Sequence, residues 1–420
     1  MRRKITTLIV GVLAVSMVLG GCGKTQKEEK DNSSDKKTEE KSGTVTLKVW
    51  GATDDQEILA EMVESFKQKY AGEAEFDITI EAIEEGDCQG TLLADVQNGA
   101  DVFAFADNQL MALVAGGALV PVDNVDDVKS ANMEEAVEAA TVNDVLYAYP
   151  MTADNGYFMY YDKSVFSEAD VTTLDQMLSV AAAANKKVTV DLGDGYYLYT
   201  FFGNTGLNFG MNDDGVTMFC DWNTTEGPIK GVDIAQAIQA VVANPGFQNG
   251  GDTALVEGAQ NGTVAAGISG VWNAEKLKAV WGDNYAAVKL PTYTCAGQQI
   301  QMASFCGYKM VGVNAYSKNK EWGLKLADWL TNEENQKLRF EKRGLGPSNT
   351  AVAGSSEVQS NPAIMAVQAQ LEYATLQRVG GKYWAPMQEF GNTLAAGKND
   401  VVVQELMDNL VKAITASAAN

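Results

Sequence analysis

Across residues 45–105 the hydrophobic period switches between two and about 3.6, and this limits the fold more than any single motif does. Val45-Thr46-Leu47-Lys48-Val49-Trp50 alternates and predicts a strand. A turn at 51–55 follows, with Asp54 and Glu57 spaced as a helix-start box. Ile58, Leu59, Met62, Val63 and Phe66 then recur on one helical face. Residues 76–83 predict a second strand. Leu92, Leu93 and Val96 predict a second helix, and Asp101-Val102-Phe103-Ala104-Phe105 a third strand. Strands alternating with helices build a mostly parallel α/β sheet. Such a sheet collects ligands at the carboxyl ends of its strands, here 51–55 and 106–109. The body from 44 to 420 is too long for one ordinary core, so at least two domains are expected.

Ahead of this body stands a different kind of chain. Met1-Arg2-Arg3-Lys4 is basic, and residues 5–21 are mostly apolar, which is the layout of a secretory signal. The run is short for a bilayer span of about 20 apolar residues. Leu19-Gly20-Gly21-Cys22 resembles the bacterial lipobox, which implies cleavage before Cys22 and lipid on its thiol. Two acyl chains hold a protein on a membrane where one does not. Residues 23–43 carry six Lys and six Asp or Glu with no aromatic residue. Such a segment cannot bury enough apolar surface to fold. As a coil it spans on the order of 25 Å. Residues 1–21 therefore read as a signal peptide, and 22–43 as a lipidated cysteine with a charged tether. The expected location is the outer face of a bacterial cell membrane.

Composition excludes several chemistries. The net charge of −23 argues against nucleic acid, which demands basic patches. With no histidine, Ser-His-Asp and Cys-His catalysis are absent, as is any metal site built on imidazole. There is no phosphate-loop or calcium-loop pattern, so neither cofactor nor metal is expected. Cys88, Cys220, Cys295 and Cys306 have no CxxC spacing, and free thiols and disulfides both stay open.

Later segments extend the strand and helix alternation and carry a resemblance. "LKVWG" at 47–51, "NGADVFAFADNQL" at 98–110, "GGALVPVD" at 116–123 and "YAYPMTADNGYFMYYDKSVF" at 147–166 resemble the maltose/maltodextrin-binding family. So do "GTVAAGISGVW" at 262–272 and "SFCGYKMVGVNAYSKNKEWGLKLADWL" at 304–330. These are extracellular solute-binding proteins of ABC importers, and the pieces fall in family order across nearly all of the body. The resemblance implies an α/β fold of two lobes, periplasmic-binding-protein-like, hinged around a ligand cleft. Lobe one would take 44–152 and 306–354. Lobe two would take 153–305 and 355–420. It also implies a monomer that delivers maltose or maltooligosaccharides to a membrane permease and does no covalent chemistry.

A neutral sugar has flat C–H faces and a hydroxyl rim, so its site needs aromatic plates and short polar groups. By the resemblance, the plates are Tyr196 (with Tyr197 as its alternative), Trp272 and Trp384. The rim is Asp54, Asp107 or Asn108, Asp154 and Asp194. Each aromatic has a rival reading as a packing residue, and each aspartate as a loop or cap residue. Phe105 falls at a family tryptophan position. Asp55 and Gln109 stand where the family carries a lysine and an arginine, which removes positive donors from the expected cleft and speaks against anionic ligands. Two rivals remain: a binder of another neutral oligosaccharide or a polyol, and a glycoside hydrolase working through two carboxylates.

Overall fold

The computed structural model describes residues 43–212, 217–397 and 402–417. The signal segment, Cys22 and the tether as far as residue 42 lie outside the described residues.

The first sheet has the order Phe76–Ala82, Val45–Gly51, Val102–Ala106, Lys309–Val313, Tyr149–Thr152. Its first three strands are parallel, and Lys309–Val313 runs antiparallel to both its neighbours. Val102–Ala106 is buried along its whole length, as expected of a central strand covered on both faces. Helices Gln56–Lys69 and Lys320–Thr331 pack their apolar stripes on this sheet. Ile58, Leu59, Met62, Val63 and Phe66 come from one, Leu326, Ala327 and Leu330 from the other. The predicted helix-start box does not form. Asp55 takes the N-cap position without a side-chain cap bond, and Asp54 turns its carboxylate to cationic partners instead.

The second sheet repeats the plan. Its order is Phe247–Asn249, Lys187–Val190, Val264–Ser269, Phe158–Asp162, Tyr285–Val288. Again three strands are parallel, and the fourth, Phe158–Asp162, is antiparallel to both neighbours. Alternation along that fourth strand splits the lobe's core in two. Tyr157, Met159 and Tyr161 join the large cluster with Leu174, Met177 and Ile234. Phe158 and Tyr160 join the smaller one with Leu255, Leu277 and Ile364.

In each sheet the fourth strand arrives from the other lobe, so the chain crosses repeatedly. The crossings are stitched together. Ser304–Cys306 pairs with Ala374–Leu376, Thr152 bridges Pro347, and the Ala153 amide donates to the Gly346 carbonyl at 2.9 Å. The four cysteines of the body are free thiols.

Candidate functional site

In both sheets the strand order reverses beside the first parallel strand, and ligands of α/β sheets bind at the carboxyl ends of the strands around such a point. Six loops meet there. From the first sheet come 52–55, 83–89 and 107–109. From the second come 191–194, 250–252 and 270–273. Between them lies a cavity of about 650 Å³, within the range of small-molecule sites.

Asp54, Asn108, Asp194, Tyr196, Trp272 and Trp384 line this cavity. The structure therefore brings six of the eight sequence-expected residues to one place. Four of them have a local reason for their position. Asp194 caps the short helix Gly195–Leu198, accepting the Tyr196 amide at 2.8 Å, so the cap and the ring are placed together. The Tyr196 ring packs edge-on against Tyr157, with centroids 4.7 Å apart. Trp272 follows Val264–Ser269, and its indole N–H donates to Asp252 at 2.8 Å. Trp384 opens the helix Trp384–Ala395, with its ring edge-on to the fully buried Tyr383. Tyr196, Trp272 and Trp384 are all half-buried, pack against the core of their lobe and line the cavity.

Asp107 and Asp154 are not on the cavity wall. Asp154 is buried and accepts the Gly346 amide, so it joins two crossing segments. Asp107 is buried beside Gly307, and its Oδ1 accepts the Tyr308 amide at 3.3 Å. Burial pushes the Asp107 carboxyl up to about 7, against the lowering effect of the Tyr308 amide. Burial likewise raises Asp194, helped by the like charges of Asp191 and Asp252. Phe105 is wholly buried against Phe103 and serves packing.

The expected loss of positive donors is only local. Asp55 and Gln109 stand at the wall, but both are tied into lobe one. Asp55 is buried and held by Arg339 and Arg343, whose charges outweigh its burial and keep its pKa low. The Gln109 amide donates to the Glu85 and Gly86 carbonyls and accepts from the Gln89 amide, fixing the 83–89 loop. Meanwhile Arg343 and Lys309 reach the cavity from distant sequence. Lys309 sits 3.4 Å from Glu85 and lies over the Trp272 ring at 5.5 Å. Burial works against its charge, and Glu85, Asp154 and Asp55 outweigh that effect.

Asp252 is the polar hub that sequence reasoning missed. It accepts from the Tyr197 hydroxyl at 3.0 Å, the Ser269 hydroxyl at 2.6 Å and the Trp272 indole. It follows a strand of only three residues, too short to show a period of two. Tyr197 is thus spoken for, whereas the buried Tyr196 hydroxyl has no partner among the described residues. The same holds for Asp107 Oδ2 and Asn108 Oδ1. Buried polar atoms are normally paired, so each such atom calls for an explanation.

Known proteins resemble this chain over most of its length. Residues 61–366 match the family described as bacterial extracellular solute-binding protein. The galactooligosaccharide-binding protein of Bacillus subtilis (strain 168) is 27% identical over 406 residues, covering 92% of this chain and 91% of the relative. A maltooligosaccharide ABC transporter solute-binding lipoprotein of Streptococcus pneumoniae (strain ATCC BAA-255 / R6) is 26% identical, covering 88% and 86%. The maltodextrin-binding protein MalE1 of L. casei BL23, solved without ligand, aligns at TM-score 0.72 and 25% identity, covering 90% and 100%.

Proposed function

Because this chain belongs to the bacterial extracellular solute-binding proteins, we propose that it captures a neutral oligosaccharide between its lobes and hands it to an ABC importer. Maltose and maltooligosaccharides are the first candidates. The observation that carries this reading is the cavity's make-up. Trp272 and Trp384 line the cavity together with Tyr196 and Asn108, whose buried hydroxyl and Oδ1 have no partner among the described residues. C–H faces would stack on the plates, and sugar hydroxyls would satisfy the polar atoms. Leaving one such atom buried and unpaired costs about 1–3 kcal/mol, and a ligand that pairs it recovers part of this. Tyr196, Trp272 and Trp384 belong to lobe two and Asn108 to lobe one, so a sugar touching both favours closure over opening. No covalent step is involved. Delivery to the permease proceeds from a body tied to the membrane by lipid on Cys22, in keeping with the lipoprotein name of one relative.

A second reading has its own support. The galactooligosaccharide-binding relative aligns along nearly the whole chain, so a galactooligosaccharide is the rival ligand. Calorimetric and tryptophan-fluorescence titrations should compare maltose, maltotriose, a longer maltodextrin, a galactooligosaccharide, cellobiose and xylobiose. Saturation by the α-1,4 glucans, weakened at least ten-fold by Trp272→Ala, is expected. Saturation by the galactooligosaccharide alone would move the specificity. Unchanged affinity in Trp272→Ala would remove the stacking assignment. Sustained hydrolysis that vanishes on Asp194→Asn would replace transport with catalysis. The anchor is tested separately: Cys22→Ser should release the protein from the membrane fraction, and retention would sink it.

A further inference from the structure

Two charged residues meet across the mouth of the cleft. Asp54 belongs to lobe one, on the turn after strand Val45–Gly51. Lys276 belongs to lobe two, on helix Ala274–Trp281. Lys276 Nζ lies 2.7 Å from Asp54 Oδ2. Among the described residues, no other ion pair joins the two lobes. We propose that Asp54 and Lys276 form an interlobe latch that holds the cleft closed and slows release of the bound sugar. The proposal rests on the transport reading above.

The latch is prepared on the lobe-one side. Arg343 stands 3.5 Å from the same Asp54 oxygen, and its Nε donates to Asp55 at 3.0 Å. Asp55 is in turn held by the buried Arg339. Asp54 is therefore aimed before Lys276 arrives, which reduces the side-chain entropy lost on pairing. On the lobe-two side, Lys276 is four residues beyond Trp272, and the 3-10 turn Val271–Asn273 runs directly into its helix. The motion that brings Trp272 to the cavity therefore carries Lys276 to Asp54. Closing the latch and seating the stacking plate are one movement.

Both side chains keep somewhat over two fifths of their surface exposed. An exposed pair is worth little, so the latch biases the open–closed balance by up to about five-fold. That suits a carrier, which must hold its sugar and then release it to a permease. Exposure also makes the latch sensitive to salt, because mobile ions screen charges at the surface. Asp54 thereby changes role. Lys276 and Arg343 occupy its Oδ2, and only Oδ1 remains for a ligand hydroxyl.

The test is stopped-flow release of bound maltooligosaccharide from the full chain, at low and at high salt. Lys276→Met should release sugar up to about five-fold faster than the parent at low salt, with the difference gone at high salt. Lys278→Met removes a charge from the same helix whose partner, Glu275, lies in lobe two, and should match the parent. Adding Lys276→Met to Asp54→Asn should change release no further. Equal release from Lys276→Met and parent at low salt would overturn the latch, as would a difference that high salt leaves untouched. Small-angle scattering separates this from failure of the transport reading. If no sugar binds, the latch still requires the parent to be more compact than Lys276→Met at low salt only, and equal radii of gyration would overturn it.

Discussion

Asp107 is a carboxylate near the cleft whose burial opposes its charge. It is 6% exposed, one oxygen has no partner among the described residues, and burial pushes its pKa up to about 7. The linkage follows directly. A folded-state pKa above the unfolded value means the native protein binds more protons through that window, so stability falls as pH rises from about 4 to about 7 and is flat above. About three pH units correspond to roughly 4 kcal/mol at most. Denaturant titrations should show the parent losing stability across this window, while Asp107→Asn shows a loss smaller by a few kcal/mol. Parallel curves would mean that folding does not raise the Asp107 pKa. At this scale Tyr196, Trp272 and Trp384 are legible as cavity-lining candidates only through the family resemblance, because an aromatic residue near a strand or helix end serves packing equally well. The cations were not legible. Lys309 and Arg343 reach the cavity from strands and helices that fold back from the other end of the chain, and no local spacing records that. Asp54 was legible as a residue at a strand end and illegible as half of an ion pair 222 positions apart in sequence.

At the scale of elements, long periodic segments read correctly. Residues 45–50 became Val45–Gly51, 76–83 became Phe76–Ala82, and 101–105 became Val102–Ala106. The stripe from Ile58 to Phe66 became Gln56–Lys69. What escaped was the short strands and the exact cap, since Asp54 answers to Lys276 and Arg343 rather than to its own helix. Close helix packing also escaped, although it fixes the helix that Trp384 opens. Helix Trp384–Ala395 lies so near the 192–195 loop that a Cβ on Gly391 would fall 1.6 Å from the Leu192 carbonyl oxygen. No rotamer relieves a clash with backbone, so the helix must move. Because Trp384 starts this helix and Asp194 sits in that loop, Gly391→Ala should destabilise the protein by about 1–3 kcal/mol. It should also weaken sugar binding. A denaturation midpoint equal to the parent's would show that the helix shifts freely and that its position does not set the plate.

At the scale of the whole molecule, two sheets of the same plan face each other across one cavity, and the strand placed fourth in each is entered after the chain has passed through the other sheet. The sequence showed two lobes only through the resemblance; periodicity alone gave an α/β body too long for one core. Two lobes around one cavity have a thermodynamic consequence. A ligand held by one lobe would stabilise that lobe, whereas a ligand held by both stabilises whatever must open to release it. At a free sugar concentration near 100 times Kd, linkage adds about 2.7 kcal/mol, equivalent to roughly 100-fold slower exchange through any opening that loses the ligand. Amides of Val45–Gly51 in one core and of Lys187–Val190 in the other should therefore slow by similar factors when sugar is added, under conditions where exchange follows the equilibrium population of open forms. Slowing confined to Lys187–Val190 would mean that the plates of lobe two hold the sugar alone. Closure by lobe one would then add nothing to retention, and the polar atom it contributes, Asn108 Oδ1, would need another partner.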